Sequence, residues 1–396
     1  MSIRDNFDQK LDHLIAFIRS LYGEEFIPLH RPVFSGNEKQ YLTDTIDSNF
    51  VSSVGQRVVD FENMVATYTG AKFAVATVNG TAALHTALVL AKVQDGDEVL
   101  TQALTFVATC NAISYCRAKP IFIDVDEDTM GMSPAALRAW LSTNTRREAG
   151  LTVNKITGAV IRACVVMHTF GFPARALEIA EICQEFGIVM IEDAAESLGS
   201  FADGVHTGLV GALSILSFNG NKVITTGGGG MILTNEEALA KSAKHITTTA
   251  KIPHATEFVH DRIGYNYRMP NLNAALGCAQ METLPSMLQI KDEVAQKYKA
   301  YCEANDWNLL MPPKGTKANN WLLAILLPSP EHRNVFLERT NAAGVMTRPI
   351  WCLMSELEMF NQCQTDGLKT SKWLEQRIVN IPSSVPDKDI SRTFIS

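Results

Sequence analysis

From about residue 71 the chain alternates short, nearly unbroken apolar runs with longer segments whose apolar residues recur every three or four positions. Ala71–Thr77 reads as a strand and Thr81–Ala91 as the helix after it. Glu98–Thr101, Pro120–Val125, Cys164–Met167 and Ile188–Ile191 repeat the pattern, and shorter strands are predicted at Ser214–Ser217 and Met231–Leu233. Apolar runs with little alternation imply strands covered on both faces, hence a mainly parallel sheet between helices. That is an α/β architecture. Ahead of it, Phe7, Leu11, Leu14, Ile15 and Ile18 stand at helical spacing and predict a helix over 5–22. Its plain role is packing on its own domain, with a lid or dimer contact as the alternative. Beyond residue 280 the composition is more mixed, with a helix predicted over Leu284–Ala304 and a weaker strand at Leu322–Leu327. The expected organisation is an N-terminal helical extension over 1–27, a large α/β domain over 28–280 and a smaller α+β domain over 281–396. No internal repeat or low-complexity tract is apparent, and any helix after Pro386 must be very short.

Composition narrows the class of partner. The 396 residues are 46% hydrophobic, enough for a large core, and carry a net charge of −7 with no basic block. That argues against nucleic acid or an anionic membrane surface, while a phosphorylated small molecule needs only a few well-placed donors. The eight cysteines form no C-x-x-C pair and lie mostly in apolar runs, as reduced thiols of a cytoplasmic protein do. The nine histidines are scattered without an H-E-x-x-H, so no metal site is expected. There is no apolar signal segment at the N-terminus, and Trp321–Leu327 is too short to span a bilayer, so a soluble protein is expected.

In α/β sheets ligands collect at the carboxyl ends of strands, and four polar clusters fall there. Val78-Asn-Gly-Thr81 links a strand to a helix, where the free N–H groups of Gly80, Thr81 and Ala82 favour an anion, or simply cap the helix. Leu104-Thr-Phe-Val-Ala-Thr109 follows another strand, and its Phe106 offers an aromatic wall for a flat ring, or a core side chain. Ile191-Glu-Asp193-Ala-Ala-Glu196 ends a hydrophobic strand in carboxylates that are costly to bury without partners. Ser217-Phe-Asn-Gly-Asn-Lys222 sets one lysine between polar residues and the run Gly227–Gly230, where glycines permit close backbone approach. Each cluster alone has a bland reading; their order along the chain is far less expected by accident.

That ordered set resembles the DegT/DnrJ/EryC1/StrS sugar aminotransferases, through Asn79-Gly-Thr-Ala-Ala-Leu84, Thr105-Phe106, Glu192-Asp-Ala-Ala-Glu196, Ser217–Lys222 and Gly264-Tyr-Asn-Tyr-Arg268, over about Pro28–Pro386. The resemblance implies a fold-type I pyridoxal-phosphate transferase: a mainly parallel seven-stranded sheet flanked by helices, plus a smaller C-terminal α+β domain. It implies that Lys222 joins the cofactor covalently and carries a proton once released, and that Asp193 pairs with the ring nitrogen. By the same resemblance Phe106 stacks on the ring, Gly80, Thr81 and Ser217 hold the phosphate, and Glu196 meets the ring hydroxyl. Asn266 would reach the phosphate of a neighbouring subunit's cofactor, which makes a homodimer with shared sites a requirement.

Asn219-Gly-Asn-Lys222, His168-Thr-Phe-Gly171 and Arg348-Pro-Ile-Trp351 look most like the branch acting in UDP-bacillosamine and legionaminic acid synthesis. Hence the expected reaction: L-glutamate gives its amino group, which passes to C4 of a UDP-4-keto-6-deoxy-N-acetylhexosamine. His30, Asn219, Arg348 and Trp351 are the candidate substrate contacts. One departure stands out in Thr225-Thr-Gly-Gly-Gly-Gly230, where Gly229 is read as replacing an acidic residue common in relatives. A dehydratase or 3-aminotransferase of the same family, or a non-catalytic nucleotide-sugar sensor, are the rival readings; the presence of Lys222 favours transamination.

Overall fold

The computed structural model describes residues 3–393. Its centre is a seven-stranded sheet of Phe73–Thr77 (β1), Glu98–Gln102 (β2), Lys119–Ile123 (β3), Ile161–Met167 (β4), Val189–Asp193 (β5), Leu213–Ser217 (β6) and Gly230–Thr234 (β7). Their spatial order is β1-β7-β6-β5-β4-β2-β3. Only β7 runs against the rest, antiparallel to both β1 and β6. The predicted strands are all present, and the reason is visible in the packing. Val99, Val165, Ile191, Ile215 and Ile232 turn to one face, under Ala83, Leu84 and Ala87 of helix Gly80–Leu90 and Ile113 of Val107–Tyr115. Leu100, Ile121, Cys164, Val166 and Met190 turn to the other, under Leu137, Trp140, Ile179 and Ile182 of helices Pro134–Asn144 and Ala176–Phe186. With both faces covered, alternate residues have no reason to be polar.

The long C-terminal helix departs from expectation. It spans Asn271–Ala304, beginning well before Leu284, with Pro285 in its interior. A proline suits a first turn, which is why the sequence reads as a start at that point; inside a helix it removes a hydrogen bond and costs about 3 kcal/mol. The first half holds because Ala274, Ala275 and Cys278 are buried, in one core with Phe61 and Val65 of helix Gln56–Thr69 for Ala274 and Cys278.

After this helix, Leu323–Leu326 (β8), Arg348–Pro349 (β9) and Ile378–Ile381 (β10) form a small antiparallel sheet in the order β8-β10-β9. The N-terminal helix, Ile3–Tyr22, packs onto this part of the chain. Leu11, Leu14 and Ile18 are fully buried against Tyr298, Trp307, Leu323, Ile325 and Val379. Its apolar stripe is therefore consumed internally, not presented as a lid. All eight cysteines are unpaired, and among the described residues no helix is long and apolar enough to cross a membrane.

Candidate functional site

The site forms where β5 and β6 end. Asp193, the last residue of β5, is buried; its Oδ2 accepts from the Thr109 hydroxyl at 2.8 Å and its Oδ1 from the Ala195 amide at 3.2 Å. Thr109 sits in the first turn of helix Val107–Tyr115, which starts right after Phe106. Past Ser217 the chain makes a loop pinned at its base, with the Phe218 amide donating to Gly229 O at 2.8 Å and the Thr226 amide to Phe218 O at 3.0 Å. A turn inside it, Lys222 N–H to Asn219 O at 3.0 Å, points the lysine back toward the strand ends. There Lys222 Nζ lies 3.1 Å from Glu196 Oε1 and 3.9 Å from the centre of the Trp321 ring.

The electrostatics follow from dryness. Burial pushes the Asp193 carboxyl above its ordinary value, against the Thr109 hydroxyl, the Ala195 amide and the Lys222 charge. Burial pushes Glu196 up as well, opposed by Lys222 and by the Phe170 amide, which donates to Oε2 at 2.9 Å. Lys222 is thus salt-bridged to Glu196, while Asp193 has only neutral donors within hydrogen-bond distance. A buried carboxylate in that position is a fitting partner for a protonated aromatic nitrogen.

Helix Gly80–Leu90 supplies the anion end. Asn79 caps it by accepting from the Ala82 amide at 2.8 Å. The three free amides expected from sequence are therefore two, Gly80 and Thr81, because the cap uses the third. Gly80 packs against Ser217: a Cβ built on it would lie 3.1 Å from Ser217 Cβ and 3.4 Å from its Oγ. The absence of a side chain lets helix terminus and hydroxyl approach the same point, which is the cradle a phosphate needs. Phe106 stands beside this, 50% exposed, with Trp351 edge-on to it at 6.3 Å and Phe170 at 5.1 Å from Trp351. Loop 350–354 is thereby joined to the large sheet, and the Met354 amide donates to Ala103 O at 2.9 Å.

The structure thus brings together Lys222, Asp193, Glu196, Ser217, Gly80 and Thr81, with Phe106 and Trp351 forming a wall. His30 is close to the lysine: burial pushes its imidazole well below the ordinary range, the Lys291 and Lys222 charges add to this, and the Asn221 backbone opposes it. Its Nδ1 is sealed without a hydrogen-bond partner. Asn219 is exposed at the loop turn. Arg348 lies exposed on β9. Asn266 is exposed, one residue before Tyr267, whose carbonyl accepts from the Val78 amide at 2.8 Å. The glycine run needs a correction. A Cβ on Gly229 would collide with Thr226 Oγ1 and come within 2.6 Å of Met269 Cε, whereas one on Gly228 meets only Val78 O at 3.8 Å. An acidic residue fits at 228, not at 229.

Asn319 and Trp321 were not legible as site residues, and Thr109, which ends the Leu104–Thr109 cluster, carried no role of its own. Trp321 sat at the edge of an apolar run, just ahead of the strand read at Leu322–Leu327. The polar pair Asn319-Asn320 before it is the only signal that a turn precedes the strand and could aim the indole elsewhere. With a charged lysine, a strand-end carboxylate, an aromatic wall and a glycine-lined helix terminus in one chamber, the donor set fits pyridoxal phosphate. Lys222 would hold it covalently, Asp193 would face its nitrogen, and Gly80, Thr81 and Ser217 would take its phosphate.

Comparison with known proteins agrees. The model of the DegT/DnrJ/EryC1/StrS aminotransferase family matches residues 33–390. The chain is 37% identical over 326 residues to the putative pyridoxal phosphate-dependent aminotransferase EpsN of Bacillus subtilis, covering 82% of this chain and 81% of that one. It is 33% identical over 362 residues to the GDP-perosamine synthase of Escherichia coli O157:H7, covering 91% and 93%. Among solved structures, Helicobacter pylori PseC, an aminotransferase involved in pseudoaminic acid biosynthesis, superposes with a TM-score of 0.82 at 21% identity over 93% of this chain and 96% of its own. At that identity the likeness speaks for the fold.

Proposed function

This chain is a member of the DegT/DnrJ/EryC1/StrS aminotransferase family and a pyridoxal-phosphate enzyme, and on that premise we propose that it moves the amino group of L-glutamate to a keto carbon of a nucleotide-linked sugar. The observation that carries the reading is the placement of one ammonium, Lys222 Nζ, 3.1 Å from Glu196 in the chamber that Asp193 closes. When bound, the cofactor supplies an electron sink for the carbanion that forms as the α-proton leaves. The chain's own groups do the rest. Lys222 removes and returns the proton. Asp193, held by Thr109 and Ala195, keeps a negative charge against the ring nitrogen. Gly80, Thr81 and Ser217 anchor the phosphate, and Phe106 and Trp351 exclude water from the ring face. Exposed Asn266 would complete the site of a second copy, making the working unit a homodimer.

For the acceptor, the loop Asn219-Gly-Asn-Lys222 supports C4 of a UDP-4-keto-6-deoxy-N-acetylhexosamine. A second reading, a GDP-linked keto-sugar, is favoured by the GDP-perosamine synthase likeness. His30 and Trp351 would be contacts for either sugar.

The test is one assay in two stages. Purified protein with pyridoxal phosphate should be yellow, bleach on adding L-glutamate, and recover its colour with a 4-keto nucleotide sugar, giving a product that contains new nitrogen by mass and an amine at C4 by NMR. UDP- and GDP-linked acceptors run side by side decide between the two sugars. A protein that binds no cofactor, or a Lys222→Ala variant that still turns over, would sink the proposal. A product without the added nitrogen would identify a dehydratase instead.

A further inference from the structure

Trp321 sits at the start of the small sheet and its indole reaches back to the lysine chamber, an arrangement that the chain fixes at every polar atom it has. Its Nε1–H donates to Asn221 O at 2.6 Å and its amide to Asn319 Oδ1 at 2.9 Å. Its carbonyl accepts from the Ser383 hydroxyl at 2.7 Å and from Lys291 Nζ at 3.4 Å. Lys291 is itself fully enclosed and also donates to Ser383 O at 2.5 Å. Asn319 does a second thing: its Nδ2 donates to Glu196 O at 2.8 Å and to Leu198 O at 3.0 Å. One amide therefore ties the backbone of Glu196 to the backbone of Trp321, and between those two side chains lies Lys222 Nζ, 3.1 Å from the carboxylate and 3.9 Å from the ring centre.

From this geometry we propose that Trp321 is a positioning residue for the reactive lysine: its clamped indole face holds the free ε-ammonium of Lys222 against Glu196 whenever that amine is not joined to the cofactor. The proposal rests on Lys222 being the cofactor-bearing lysine. The first half-reaction detaches this amine, which then stays free until the second restores its bond at the same carbon. A lysine has four rotatable side-chain bonds, and a released one would spread over many rotamers. A cation over an indole in a dry site is attracted by the negative ring face, most strongly for tryptophan. The carboxylate alone fixes a distance; the ring adds a plane, so that the nitrogen is confined in direction as well. The amine is then stored beside its point of use instead of folding onto Asp193.

The test compares Trp321→Leu with Trp321→Phe. Both lose the indole N–H and open similar space, and only phenylalanine keeps an aromatic face, so access and clamp loss cancel between them. On the full chain freed of cofactor, acetic anhydride labelling of Lys222 at pH 7.5 is followed by mass spectrometry, with exposed Lys314 as internal reference. Without the ring the amine is held less closely, and labelling in the leucine variant should exceed that in the phenylalanine variant roughly threefold or more. In the cofactor-loaded enzyme, the leucine variant should lose about tenfold in kcat with KM for glutamate unchanged, and phenylalanine should recover most of it. Equal labelling in the two variants overturns the proposal. So does an equal loss of kcat in both accompanied by equal falls in melting temperature, which would make Trp321 a packing residue only. A Lys222→Arg enzyme that still turns over would instead refute the role of the lysine, and the labelling comparison would remain valid in its own right.

Discussion

Glu192 and Asp193 are consecutive in one strand and their carboxylates leave the sheet by opposite faces, as neighbouring strand residues must. Glu192 Oε2 accepts from His168 Nε2 at 2.9 Å and the Gly208 amide at 2.9 Å, and Oε1 from the Val210 and Gly211 amides at 2.7 Å each. His168 donates from that nitrogen because its Nδ1 is already an acceptor for the Ala174 amide at 3.0 Å. Burial alone would raise Glu192; the His168 contact and the backbone amides outweigh it and hold the carboxyl below its ordinary value. Asp193, with two neutral donors, is held above its own. One carboxylate braces a loop, and the other waits for a cation.

Glu192→Gln should therefore damage the fold. The amide would present a donor where four donors converge, at a cost of about 3 kcal/mol, the scale of breaking a buried pair. A carboxyl depressed in the folded state stabilises the protein above its unfolded value, near 4.3, and loses that contribution as pH falls further. Acid unfolding of the parent should accordingly be steeper than that of the variant, which a circular-dichroism titration from pH 6 to 3 would show.

Asp193→Asn should do the reverse. Because the buried carboxyl is raised, its ionised form costs stability above the unfolded value near 3.9, so the cofactor-free variant should be at least as stable as the parent at pH 8. Turnover should fall by about 100- to 1000-fold, the scale of removing one preorganised electrostatic partner, and cofactor affinity should fall with it. A variant that melts lower yet turns over normally would contradict both halves.

How much of this was legible depended on whether neighbours in space were also neighbours in pattern. The strands were readable because every one of them is sandwiched, and a sandwiched strand advertises itself by lacking polar alternation. Asp193, Gly80 and Ser217 were readable because each ends a strand or begins a helix, and Lys222 because it stands between polar residues and a glycine run. Thr109 was readable only as the end of a polar cluster and not by its role, which comes from a partner 84 positions away in sequence. The first half of the long helix was missed, since Pro285 is carried in an interior that tertiary packing sustains. Trp321 was hidden in an apolar run, where an aromatic reads as core.

Lys291 offers a pH test. Burial pulls its ammonium down to about 7. An unfolded lysine keeps its proton to about 10.4, so between pH 7 and 10 the unfolded chain binds more protons at this position and stability rises with pH. Below pH 7 both states are protonated and the cost of the buried charge is present in full. Lys291→Met removes the titration but leaves the Ser383 and Trp321 carbonyls without this donor. The melting temperature of the variant should be lower than the parent's at pH 9, and the gap should narrow toward pH 6.5. A gap that is constant with pH would show that Lys291 does not titrate in the fold.

The two central glycines of the lysine loop should respond oppositely to one methyl group. At Gly229 a Cβ meets Thr226 Oγ1 and Met269 Cε, and the position is enclosed where the Phe218 amide donates to the Gly229 carbonyl at 2.8 Å. Thr226 cannot yield easily, because it is buried and its amide is bonded to Phe218 O at 3.0 Å. Gly229→Ala should cost about 1–3 kcal/mol, the range for overpacking, and should loosen the loop that aims Lys222, lowering turnover even at temperatures where the protein stays folded. At Gly228 the nearest atom is 3.8 Å away and φ lies outside the left-handed region, so Gly228→Ala should fold as well as the parent. Thermal melts and glutamate-driven bleaching of the two variants, measured together, check this. Equal destabilisation at both positions would mean that backbone freedom, and not space, explains why glycine is needed in this loop.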